Sequence, residues 1–145
     1  MMTIYLDFDG VLTTKFSEVS GVHGGPAFDP LCVKIFNKLA GQLRERFTEV
    51  RVVVISNWRF EFSSVQIREL LGAYGMLEKI DELIIPITAS NREEEIMNDA
   101  YEGPFLIFDD QPYYSEKLKP HLIQLRSEDG LRGIEDINQI LGGKI

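Results

Sequence analysis

Short apolar runs alternate with longer amphipathic stretches along this chain, and that rhythm predicts its elements. Thr3 to Leu6, Arg51 to Ile55, Leu83 to Ile87, Phe105 to Phe108 and Leu122 to Leu125 read as strands. Arg51 to Ile55 is a β-branched run suited to burial on both faces of a sheet. Pro86 places the third strand at an edge, because proline cannot donate to a ladder. Helical spacing appears between the strands. Asp29 is a candidate N-cap with Pro30 in the first turn, and Val33, Phe36, Ala40, Leu43 and Phe47 form one apolar face. Ser63 and Gln66 have capping-box spacing ahead of a face made of Val65, Ile67, Leu70, Leu71 and Tyr74, and Gly75 is a natural stop. Ser90 and Glu93 predict a second capping box, with Glu93, Glu94 and Glu95 in the first turn. Ile134, Ile137 and Ile140 suggest a closing amphipathic helix.

Alternating strands and helices of these lengths predict an α/β fold, a parallel sheet with helices on both faces and right-handed crossovers. The 145 residues suit one domain. There is no internal repeat. The Gly-rich stretch within residues 13–28 is the one long irregular insertion and reads as a short flap, a minimal cap beside the first strand's end. The formal net charge of −8 disfavours strong non-specific nucleic-acid binding and repels anionic lipid. No apolar stretch is long enough to cross a bilayer, and the amino terminus does not read as a secretory signal. Cys32 is the only cysteine, so no intrachain disulfide can form, which fits a reducing, cytoplasmic setting.

Chemistry concentrates where the strands end. Ligands of parallel α/β sheets gather beyond the carboxyl ends of the strands. Here the first strand ends in Asp7 and Asp9, the second in Ser56-Asn57-Trp58-Arg59, and the fourth in Asp109-Asp110. Side chains two apart on an extended segment point the same way, so Asp7 and Asp9 are expected to face one site with Phe8 packed behind. Taken alone, Asp7 to Gly10 also reads as an ordinary Asp-Gly turn. Carboxylates from two strands and a hydroxyl from a third are what a Mg²⁺-assisted phosphoryl-transfer site requires.

These segments carry a resemblance. Asp7-Phe8-Asp9-Gly10-Val11-Leu12, Ser56 after its strand and Asp109-Asp110 resemble the first, second and fourth motifs of the haloacid dehalogenase (HAD) superfamily, in order along nearly the whole chain. The chain is similar, more narrowly, to small HAD domains associated with RNA-repair proteins, through Asp29-Pro30, Ser56 to Arg59, Arg92 to Ile96, Asp109-Asp110 and Gly130-Leu131. The resemblance implies a Rossmann-like three-layer fold with five parallel strands in the order 3-2-1-4-5. It implies a Mg²⁺-dependent phosphatase in which Asp7 attacks phosphorus and Asp9 acts as general acid and base, its main-chain carbonyl also binding the metal. Asp7, Asp9, Asp109 and Asp110 would make up the metal site, and Ser56 and Asn57 would hold phosphoryl oxygens. Related ATPases carry Thr at the second aspartate position, so Asp9 favours a phosphatase over an ion pump.

One motif departs from the pattern. The third motif usually supplies a Lys, yet no Lys lies between the third and fourth strands, and Arg92 stands at that place. It reads as a phosphate ligand, or else as a solvated partner of Glu94 or Glu95. Lys117 and Lys119 are weaker substitutes. Arg59 is a candidate for a substrate's second anionic group or an ion pair with Glu61, and His23 in the insertion is a candidate substrate contact. Trp58 reads as a packing anchor or a stacking surface for a base, and Tyr113-Tyr114 as cleft lining or packing. His121 reads as structural, and two His with one Cys exclude a zinc cluster. The expected partner is a phosphorylated substrate, either a small ester such as a nucleotide or a nucleic-acid end. Two further readings stand beside it: an inactive HAD-fold binding or regulatory module, and a phosphotransferase.

Overall fold

Neighbouring residues of each strand face opposite sides of the sheet, and this alternation divides the core in two. In the computed structural model, which describes residues 1–17, 28–86, 91–135 and 137–141, the strands are β1 (Met2–Leu6), β2 (Val50–Val54), β3 (Glu82–Ile84), β4 (Phe105–Asp109) and β5 (Leu122–Gln124). They pair in parallel in the order β3-β2-β1-β4-β5, the order expected from the sequence. Ile4, Leu6, Val52, Val54, Leu106 and Phe108 pack on one face beneath α1 (Pro30–Phe47), α2 (Ser64–Ala73) and α4 (Ile137–Leu141). Tyr5, Val53, Ile55 and Ile107 pack on the other against Ile96 of α3 (Arg92–Asn98) and against Tyr114 and Leu118. No helix of the described residues is long and apolar enough to cross a membrane.

The local signals explain most helix starts. Asp29 caps α1 by accepting from the Leu31 N–H at 3.0 Å, with Pro30 first in the helix. Ser63 and Gln66 complete their capping box through hydrogen bonds of 3.1 and 2.8 Å. Val65, expected on the buried face of α2, is 62% exposed. It lies two residues before Ile67, about 200° around a helix from it, so both cannot face the sheet. The third helix is capped by Asn91 and not by Ser90: the Asn91 side chain accepts from the Glu94 N–H at 2.9 Å, one residue later than expected. Ser90 lies outside the described residues. The third strand stops at Ile84, ahead of Pro86. The closing helix is divided into a 3₁₀ turn at Gly130–Gly133 and the short α4.

That 3₁₀ turn docks on the loop after β1. Leu131 N–H donates to the Val11 carbonyl at 3.0 Å, and a Cβ on Gly130, whose φ is +52°, would lie 2.4 Å from the same oxygen. Nearby, the buried Asp29 carboxylate accepts from Thr14 Oγ1 at 2.6 Å and from Arg132 Nε and Nη2 at 2.5 and 3.0 Å. Burial alone would raise its pKa, but the bonds from Arg132, Thr14 and the Leu31 N–H outweigh this and hold it at about 2. The clasp therefore joins α1, the loop after β1 and the 3₁₀ turn. Asp29→Ala is expected to cost about 2–3 kcal/mol at pH 7. A carboxylate with a depressed folded pKa stabilises above its unfolded value, so the difference from wild type should shrink as pH falls from about 4 to about 2. Urea denaturation across that window measures it; a constant difference would rule out a contribution from the charge.

Candidate active site

β2, β1 and β4 are neighbours in the sheet and run parallel, so their carboxyl ends lie side by side. Pairing continues one step beyond β1, where Asp7 N–H donates to the Phe108 carbonyl at 3.0 Å. The chain then turns sharply, with the Val11, Leu12 and Thr13 N–H groups all returning to the Phe8 carbonyl. Gly10 makes this possible. Its φ is +74°, and an added Cβ would lie 2.4 Å from Asp110 Oδ2. Gly10→Ala is expected to destabilise by about 2 kcal/mol, from the backbone angle and the displaced Asp110. Thermal unfolding measures the loss, and an unchanged Tm would rule out strain at this turn.

Asp7, Asp109 and Asp110 bring carboxylate oxygens within 4.8 Å of one another. Asp7 is 1% exposed and Asp109 fully buried. Arg92, the first residue of α3, places Nη1 3.2 Å from Asp7 Oδ2 and 2.8 Å from Asp109 Oδ2. It therefore pairs with neither Glu94 nor Glu95. Asp109 also accepts from the Tyr114 hydroxyl at 2.7 Å and the Gln111 N–H at 3.0 Å. Burial would raise the Asp109 pKa, but Tyr114, the Gln111 N–H and Arg92 together hold it below the usual carboxylate range. Burial pushes Asp7 upward, and the neighbouring Asp109 charge adds to this against the pull of Arg92. Asp110 is raised by burial and then by Asp109. Three converging carboxylates with one guanidinium between them are short of positive charge. A hard divalent cation with oxygen ligands fits that deficit.

Asp9 does not join this group. Both of its carboxylate oxygens accept from Trp58 Nε1 at 3.1 Å, and Oδ1 lies 3.2 Å from the Thr13 hydroxyl. The expected shared direction of Asp7 and Asp9 assumed an extended segment, but the strand ends at Leu6. A metal role for Asp9 would thus fall to its main-chain carbonyl and not to its side chain.

Ser56 is buried and caps a 3₁₀ turn at Asn57–Phe60, its Oγ accepting from the Trp58 N–H at 3.3 Å. Asn57 is exposed and lines a cleft of about 560 Å³ with Asn91, Arg92, Glu93, Gln111 and the two tyrosines. Tyr113 is 83% exposed there.

Arg59 pairs with Glu95 and not with Glu61, and it turns inward, not toward the cleft. Its side chain is buried, and all five of its N–H donors are engaged. Nε donates to the Ser56 carbonyl, Nη1 to the Pro86 carbonyl and Glu95 Oε2, and Nη2 to the Ile55 carbonyl and Glu95 Oε1. Lys119 pairs with Glu116, and Lys117 lines a separate hollow beside Tyr5 and His121. His121 stacks on Phe105 at 3.9 Å. His23 lies outside the described residues. Besides the partners of Arg59 and Arg92, the contacts of Trp58 with Asp9 and of Tyr114 with Asp109 were not expected from the sequence. Their only signal was position, each falling a few residues after a strand end that carries site groups.

The family model for the HAD domain in Swiss Army Knife RNA repair proteins matches residues 3–134. No curated protein and no solved structure matches the chain. HAD domains form a superfamily of phosphatase-type hydrolases that typically use Mg²⁺, and the acidic cluster is of a kind that could hold this ion. With the match spanning nearly the whole chain and the sheet order agreeing with it, this protein belongs to the HAD domains of Swiss Army Knife RNA repair proteins.

Proposed function

We propose that this protein is a Mg²⁺-dependent phosphatase that hydrolyses a phosphate monoester on a nucleotide or nucleic-acid end through an aspartyl-phosphate on Asp7. The observation that carries the reading is the convergence of Asp7, Asp109 and Asp110 within 4.8 Å at one sheet edge, with Arg92 bridging Asp7 and Asp109. Mg²⁺ held by these carboxylates would offset the negative charge of the phosphoryl oxygens. The Asp7 carboxylate attacks phosphorus, and the bond from phosphorus to the leaving oxygen breaks. Asp9 gives its proton to that oxygen. Asp9 then takes a proton from water as the water attacks phosphorus, and the bond to Asp7 breaks to release inorganic phosphate. Arg92 balances charge around the transferring group, with Ser56 and Asn57 on its non-bridging oxygens. The family's association with RNA repair supports a nucleic-acid substrate, as does a cleft that combines amide side chains with the exposed Tyr113.

The test is hydrolysis of an aryl phosphate with Mg²⁺ and with EDTA. A parallel screen covers phosphorylated metabolites and 3′- and 5′-phosphorylated oligonucleotides. Turnover that EDTA abolishes is expected. No turnover on any substrate, or activity indifferent to EDTA, would sink the proposal. Stabilisation by beryllofluoride and Mg²⁺ without turnover would mark a binding module, and transfer to an added alcohol would mark a phosphotransferase.

A further inference from the structure

Asp9 is the exposed member of the four aspartates at this sheet edge. An exposed carboxylate on a short side chain has little reason to keep one orientation, because water serves it equally well in several. Here a fixed donor meets it. The Trp58 indole N–H lies 3.1 Å from both oxygens. Trp58 is only 6% exposed, and its ring is wedged among others: stacked on Phe28 at 5.4 Å, edge-on to Phe8 at 5.2 Å and tilted against Phe62 at 6.0 Å. The Trp58 main-chain N–H donates to Ser56 Oγ at 3.3 Å. The indole cannot follow the carboxylate, so the carboxylate must come to the indole.

The arrangement has a chemical use. Three acids already converge at Asp7, Asp109 and Asp110. A fourth carboxylate free to turn inward would be drawn to a cation bound there and would no longer be available to carry a proton. Oδ1 accepts from the indole N–H and the Thr13 hydroxyl, whereas Oδ2 accepts from the indole N–H alone and keeps a lone pair for that proton. We infer that Trp58 is a positioning residue that holds the Asp9 carboxylate outside the acidic cluster and aims it for proton transfer to and from the substrate. This rests on the phosphatase reading above. Packing alone would need only an aromatic ring; the N–H is the part that packing does not require.

Trp58→Phe keeps a ring in the pocket and removes that N–H. Proton donation matters most when the leaving group is a poor one, so the variant's loss should depend on leaving group. Because the water step is common to every substrate, the contrast is read in kcat/KM, which reports transfer to Asp7: we expect it to fall by about 10²-fold on an alkyl phosphate and by less than about 5-fold on an aryl phosphate with an acidic phenol. Equal losses on the two substrates, or none, would overturn the inference. A second readout needs no turnover. The chain has one tryptophan, so one indole N–H resonance reports the contact. Asp9→Asn should move that resonance, and Asp110→Asn should leave it in place. An indole signal indifferent to Asp9→Asn would overturn the inference even in an active enzyme. Wild-type protein without turnover would instead refute the phosphatase reading, and with it the role in proton transfer, whatever the indole signal shows.

Discussion

Asp7→Asn is expected to abolish hydrolysis, with a loss of at least about 10³-fold, while the protein stays folded. The amide matches the carboxylate in shape and its oxygen can still accept from the Phe8 N–H, which lies 2.8 Å from Asp7 Oδ1. It cannot attack phosphorus. Asp7 is buried beside Asp109, and its burial and that neighbouring charge both disfavour its ionised form. Replacing it with a neutral group removes repulsion, and Arg92 keeps its 2.8 Å contact with Asp109. The variant's Tm without Mg²⁺ should therefore equal or exceed the wild type's, and the rise on adding Mg²⁺ should be smaller. Turnover by Asp7→Asn near the wild-type rate would exclude Asp7 as the nucleophile. An inactive variant with a collapsed Tm would leave loss of fold as the explanation, and circular dichroism separates the two.

The largest effect on stability is expected from Arg59→Met. Arg59 and Glu95 are both buried and pair through two contacts, one of them Nη2 to Oε1 at 2.8 Å. Taking away the guanidinium leaves a carboxylate buried without a counter-charge, and the carbonyls of Ile55, Ser56 and Pro86 lose a donor. Breaking one side of such a pair costs about 3–5 kcal/mol, or roughly 10–20 °C in Tm for a domain of this size. The double variant Arg59→Met with Glu95→Met should recover part of the loss, because the unpaired charge is gone while the carbonyls still lack the guanidinium donors. A single-variant loss below about 1 kcal/mol would show that the pair is not the buried clamp described. The clamp also bears on the site. It joins the turn that carries Ser56 and Asn57 to α3, three residues after Arg92, and so links all three phosphate-binding candidates.

Local elements were legible because their causes lie within a few residues. Asp29-Pro30 opens α1 and Ser63 with Gln66 opens α2, since a cap is a contact between neighbours in the chain. The sheet order was expected too, from the resemblance of the motifs after the first, second and fourth strands to those of the HAD superfamily. At the third helix two adjacent residues, Ser90 and Asn91, could each serve as cap by their chemistry, and Asn91 is the one that does.

The side-chain partners at the site were another matter. Trp58 and Asp9 are 49 residues apart, Arg59 and Glu95 36, and Arg92 and Asp7 85. By itself the sequence determined which chemical groups arrive at the carboxyl edge of the sheet, because alternating apolar runs dictate strands and strands deliver whatever follows them. The tertiary structure alone decided what each group faces. It turned Asp9 out to Trp58, drew Arg59 inward to Glu95 and set Arg92 between Asp7 and Asp109. The reason is physical: a buried charge must find its counter-charge in space, and spatial neighbours exist only once the sheet has brought distant segments together.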